Sequence, residues 1–166
     1  MIRVLVADSS RVEADILIAI LSTDPEIHVI GVAATGKQAI ELVSKLRPDI
    51  VTISDSLEDV DSLEAIKHIM AYNPTPILIL TDPDSQCSQD SRDSAFKTVR
   101  GRAPHTSMGA LDVVQKPTGA ADNALQAKRF VETVKLLSKV RVVTHLAGKL
   151  ESRKARKLES RLSGFP

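Results

Sequence analysis

Pro48-Asp49-Ile50-Val51-Thr52-Ile53-Ser54 reads as a buried strand that ends on a small hydroxyl. The run is rich in Val and Ile and too short for a buried helix. Two other stretches have the same form. Met1-Ile2-Arg3-Val4-Leu5-Val6-Ala7-Asp8-Ser9-Ser10 is an apolar strand followed by an acid and two serines. Leu111-Asp112-Val113-Val114-Gln115-Lys116-Pro117 runs into a Lys-Pro pair.

Working outward, short apolar runs alternate with helical patterns. Strands are expected at Arg3–Ala7, His28–Ala33, Ile50–Ile53, Ile77–Leu80 and Leu111–Val114. Between them lie amphipathic stretches. Arg11–Leu21 carries Val12, Ile16, Ala19 and Ile20, and Lys37–Leu46 carries Ala39, Ile40, Val43 and Leu46. Ser62–Ala71 carries Leu63, Ile66, Ile69 and Met70, and Asp122–Ser138 carries Ala127, Phe130, Val134 and Leu137. Each spacing sets one apolar stripe against a sheet. The alternation predicts right-handed βαβ units and a flavodoxin-like, doubly wound (βα)5 three-layer sandwich with a parallel sheet of order 2-1-3-4-5. The stretch from Asp82 to Arg102 is polar and bracketed by Pro83 and Pro104, which predicts a long loop with at most a short helix around Ser94–Arg100.

Composition agrees with that class. In 166 residues, aromatics make up 2% and Trp is absent, so the core must be aliphatic. The lone cysteine, Cys87, excludes an internal disulfide and fits a reducing compartment. No apolar run reaches membrane-spanning length, so no membrane insertion and a cytoplasmic location are expected. The net charge of +1 hides an asymmetry. Lys149–Arg161 holds six basic and two acidic residues, leaving 16 basic against 19 acidic elsewhere. The expected organisation is a domain over residues 1–140, then a linker and basic, potentially helical tail over 141–166, where Leu-Glu-Ser-Arg occurs at Leu150 and again at Leu158.

In a doubly wound sheet, chemistry collects at the carboxyl ends of the strands. Asp8, Ser9, Ser54, Thr81 and Lys116 all fall there and are expected to converge in one pocket. Over roughly the first 140 residues the chain resembles response-regulator receiver domains, and among them those of chemotaxis-type protein-glutamate methylesterases. The resemblance is carried by Ile2–Asp8, Leu21–Glu26, Leu46–Thr52, Leu63–Met70 and Gly109–Pro117 followed by Thr118-Gly119. It implies that Asp8 is the first of two metal-binding acids, Thr81 the switch hydroxyl, and Lys116-Pro117 the conserved pair, often joined by a cis peptide.

The departures fall on the pocket. The family's acceptor aspartate aligns with Ser54 and its second metal-binding acid with Ser9. The small residue after the switch hydroxyl aligns with Asp82, and the aromatic switch residue with Val113. Phosphoryl transfer to a receiver needs an ionised carboxylate as nucleophile, and a neutral serine with no adjacent base does not replace it. Magnesium needs carboxylate charge and near-octahedral oxygen ligation, so no metal ligands, no cofactor, and weak or absent Mg²⁺ binding are expected. Lys116 should pair with Asp8 or Asp82. Asp55 is an alternative, displaced acceptor, but strand alternation turns it away from Lys116 unless a bulge intervenes.

The expected function is therefore that of a degenerate receiver, a pseudo-receiver acting as a phosphorylation-independent interaction module in two-component or chemotaxis-like signalling. Its partner would be a histidine kinase or another pathway protein. Homodimerisation through the last helix and strand stays open. With no Gly-x-Ser-x-Gly elbow, the chain is not expected to be an enzyme. A regulatory fragment of a methylesterase-type regulator is the alternative. Nucleic-acid binding through the basic tail is not expected, because aromatics and a recognition fold are lacking.

Overall fold

The computed structural model describes residues 1–57, 62–82, 109–117 and 124–142. Five strands, β1 (Ile2–Ala7), β2 (Ile27–Ala33), β3 (Ile50–Ser54), β4 (Ile77–Thr81) and β5 (Asp112–Gln115), form one parallel sheet in the order β2-β1-β3-β4-β5. Four described helices, α1 (Arg11–Leu21), α2 (Gly36–Leu46), α3 (Ser62–Tyr72) and α4 (Ala124–Leu137), cover it. This is the flavodoxin-like, doubly wound architecture that the alternating pattern predicts. The expected short helix at 94–100 and the basic tail from residue 143 lie outside the described residues.

Strand alternation divides the core between two layers. Leu5, Val51, Ile53, Ile77 and Ile79 face one side, with Ala39 and Val43 of α2 and Ile66 and Ile69 of α3. Val4, Val6, Ile50, Leu78 and Leu80 face the other, with α1 and with Phe130, Val131 and Val134 of α4. The α1 stripe differs from the sequence expectation. Ala14, Leu17 and Leu21 are buried, whereas Val12 is 70% exposed. From Ala14 to Leu21 only Asp15 is polar, so its apolar content does not select one face.

Local chemistry fixes the helix starts. Ser10 caps α1 by accepting from Glu13 N, and Thr35 caps α2 by accepting from Gln38 N at 3.2 Å. Gly109, at φ 116°, leads into β5, and a β-carbon there would stand 2.8 Å from the Met70 methyl group. After α4 the chain crosses layers, for Val142 packs partly buried against the α2–α3 side of the sheet. Among the described residues no helix is long and apolar enough to cross a membrane.

Candidate functional site

Parallel strand order brings the ends of β1, β3, β4 and β5 to one edge of the sheet. Asp8 follows β1, Ser54 closes β3, Thr81 closes β4, and Lys116 follows β5. The backbone ladders continue past the strands, with Asp55 N donating to Leu80 O and Lys116 N to Thr81 O, at 2.9 and 2.8 Å.

The candidate residues separate into two groups. The first surrounds Lys116, whose side chain is only 5% exposed. Its Nζ lies 3.0 Å from Asp8 Oδ2 and 2.8 Å from Asp82 Oδ1, and it donates a hydrogen bond to Glu13 Oε2. Both pairings named as alternatives from sequence, Asp8 and Asp82, therefore form together. The Asp8 side chain is fully buried. Burial acts to lower the Lys116 pKa, but hydrogen bonds to Asp82, Glu13 and Asp8 outweigh it and hold the ammonium above the ordinary lysine range.

Glu13 is the member that sequence reading missed, although its signal was present. Ser10-Arg11-Val12-Glu13 has capping-box spacing, in which the acid normally reaches back to the cap's own N–H. Here that N–H donates to Asp8 Oδ1 at 2.9 Å. Glu13 is thereby released to cross to Lys116.

The second group is a chain of hydroxyls. Ser54, fully buried, shares a 2.8 Å hydrogen bond with Ser56 Oγ and accepts from Ser56 N at 3.3 Å. Ser9 Oγ donates to Ser56 O at 3.1 Å. Ser56, also absent from the sequence expectation, thus bonds both Ser9 and Ser54, the two serines that the resemblance aligns with acids. Thr81 turns its hydroxyl to Val114 O at 3.4 Å. Val113 lies in the α2–α3 core layer opposite Ile79 and outside both groups. The β3–β4 register is unbroken through Ser54↔Leu80, so β3 carries no bulge ahead of Asp55, which follows the strand in a turn. Where the resemblance implied a frequent cis bond, the Lys116–Pro117 peptide is trans. Among the described residues no group of three His, Cys, Asp or Glu side chains is arranged to hold a metal ion.

Comparison with known proteins agrees with the fold. Residues 4–128 match the response regulator receiver domain family. A protein-glutamate methylesterase/protein-glutamine glutaminase 2 of Anaeromyxobacter dehalogenans is 36% identical over 93% of this chain and 41% of its own length. The protein-glutamate methylesterase/protein-glutamine glutaminase 3 of the same organism is 39% identical over 84% of this chain and 38% of its own length. Among solved structures, the response regulator domain of Thermotoga maritima CheB superposes with a TM-score of 0.68 at 26% identity, covering 85% of this chain and 98% of that one.

These relatives correct one expectation. The chain was expected not to be an enzyme, yet the proteins it resembles carry enzyme names, and it spans only about two-fifths of their length. The missing nucleophile elbow concerns a part of those proteins that the match does not reach, and it does not exclude the activity in their names.

Proposed function

This chain belongs to the response regulator receiver domain family, and from that premise we propose that its pocket is locked against phosphoryl chemistry and that it signals through protein contact alone. The observation carrying this reading is that Lys116 is held by Asp8, Glu13 and Asp82 while the end of β3 offers only the buried, hydrogen-bonded hydroxyl of Ser54. A serine there has no base to raise its nucleophilicity, for its Oγ is engaged by Ser56. The donors do not suit Mg²⁺ either. Ser9 and Ser54 supply neutral oxygens already hydrogen-bonded, and the carboxylates converge on an ammonium, so magnesium binding is weak or absent in this reading. Asp55 as a displaced acceptor would need a bulge in β3, and the strand keeps its register without one through Ser54.

The partners in this proposal are signalling proteins of a two-component or chemotaxis-like pathway, such as a histidine kinase. A second reading is favoured by the names of the relatives. Within a longer, methylesterase-type regulator, this domain would supply a regulatory surface whose state does not depend on phosphorylation. Both readings predict that acetyl phosphate with Mg²⁺ leaves the intact mass of the protein unchanged. A phosphoryl adduct mapping to Asp55 or Asp8 would overturn them.

A further inference from the structure

Charge is divided unevenly along this chain. Between Arg47 and Arg92, Lys67 is the only basic residue, against nine acids. Lys149–Arg161 holds six basic residues and two acids, a net charge of +4. The fold turns this division into two ends. Around the ends of β1, β3 and β4, Asp8, Glu13, Asp55 and Asp82 are set against Arg11 and Lys116. Lys116 is already held by three of those carboxylates. Two of the three, Glu13 and Asp82, keep 41% and 31% of their side chains exposed, so their charge reaches solvent.

The chain leaves the sheet at its other end. Lys135 bonds Asp24 and Glu26 just ahead of β2, so α4 finishes beside the amino edge. Val142 then packs on the α2–α3 side. A strand of the length of β3 spans about 17 Å, whereas the chain from 143 to 149 reaches up to about 25 Å when extended. The basic stretch beginning at Lys149 therefore reaches the carboxyl edge, and its tether holds it there at high effective concentration. The α1–α4 groove does not compete for it, because Lys128, Lys135 and Lys139 line that groove. We propose that Lys149–Arg161 is a tethered latch and that its docking site is the carboxyl edge of its own domain, around Glu13, Asp55 and Asp82. The docked latch covers the mouth of the pocket, and salt or an anionic partner surface draws it away. Access of a partner to that edge is thereby conditional. The inference is independent of the phosphoryl reading, since no phosphoryl donor enters the argument or its test.

Paramagnetic broadening in the full chain tests the proposal. Cys87 is the lone cysteine, so C87S with S160C places one nitroxide in the tail. At low salt the amide signals of Glu13, Ser56 and Asp82 should lose at least half of their intensity, while those of Arg3 and Asp49 at the amino edge should keep theirs. The loss should reverse at about 0.5 M NaCl, where the screening length falls to about 4 Å. It should also vanish when R153E, K154E, R156E and K157E are combined, changes that touch no part of the described core. Mixing isotope-labelled chains that carry no nitroxide with unlabelled spin-labelled ones should give no broadening. Absence of broadening at low salt, broadening confined to the amino edge, persistence in high salt or in the charge-reversed tail, or broadening in the mixture (a latch from a second copy) would each overturn the proposal.

Discussion

Two lysines in this molecule are each held by more than one carboxylate, yet they do different things. Lys116 is almost buried, and one of its partners, Asp8, is completely so. Lys135, in the last turn of α4, bonds Asp24 at 3.1 Å and Glu26 at 2.8 Å with 27% of its side chain exposed. Water screens the second cluster, which ties α4 to the turn before β2 and complements the helix dipole. The first is shielded from that screening. Removing its ammonium leaves the buried Asp8 carboxylate without a counter-charge, so Asp8 and Lys116 are committed to each other in a way that Lys135 and its partners are not.

The sharpest way to break this contrast is to delete each ammonium. K116M should cost about 3–5 kcal/mol in urea unfolding, because the Asp8 carboxylate then remains buried without a counter-charge. A loss no larger than that of a surface pair would erase the distinction. E13Q should cost less, about 0.5–1 kcal/mol, since Glu13 is 41% exposed and Lys116 keeps Asp8 and Asp82. Its urea midpoint should fall between those of wild type and K116M.

Proton linkage separates the two clusters next. The Lys116 pKa is raised in the folded state, so its contribution is complete below the ordinary lysine value and is lost only as pH climbs through the raised one. The difference between wild type and K116M should therefore stay constant from about pH 7 to about pH 10. Asp24 behaves in the opposite sense. Its pKa is lowered, first by the Glu26 backbone N–H and then by Lys135, so its contribution is present above the ordinary Asp value and fades as pH falls through the lowered one. K135Q should give the smallest effect of the series. Its stability difference from wild type should shrink in acid and in high salt. A salt-insensitive K135Q would place that cluster in the same regime as Lys116.

The sequence carried the fold and part of the site, for separate reasons. Strand ends such as Asp8, Ser54, Thr81 and Lys116 were legible because parallel topology sends them to one edge whatever their identity. The pairing of Lys116 with Asp8 and Asp82 followed from that placement. Glu13 did not, because its role depends on a hydrogen bond elsewhere, where Asp8 Oδ1 takes the Ser10 N–H and leaves the capping box half-formed. Ser56 escaped because it lies beyond β3, where neither periodicity nor motif fixes which way a side chain turns. The α1 stripe was misread for a simpler reason, since a helix this apolar offers several faces of similar hydrophobicity.

The central proposal is that Lys116, held by three carboxylates, and Ser54, bonded to Ser56, leave no site for a phosphoryl group. Titrating the protein with beryllofluoride and Mg²⁺ while recording amide resonances tests it most directly. The account predicts no saturable shifts at Asp8, Ser54, Thr81 or Lys116. Saturable shifts centred on those amides would contradict it.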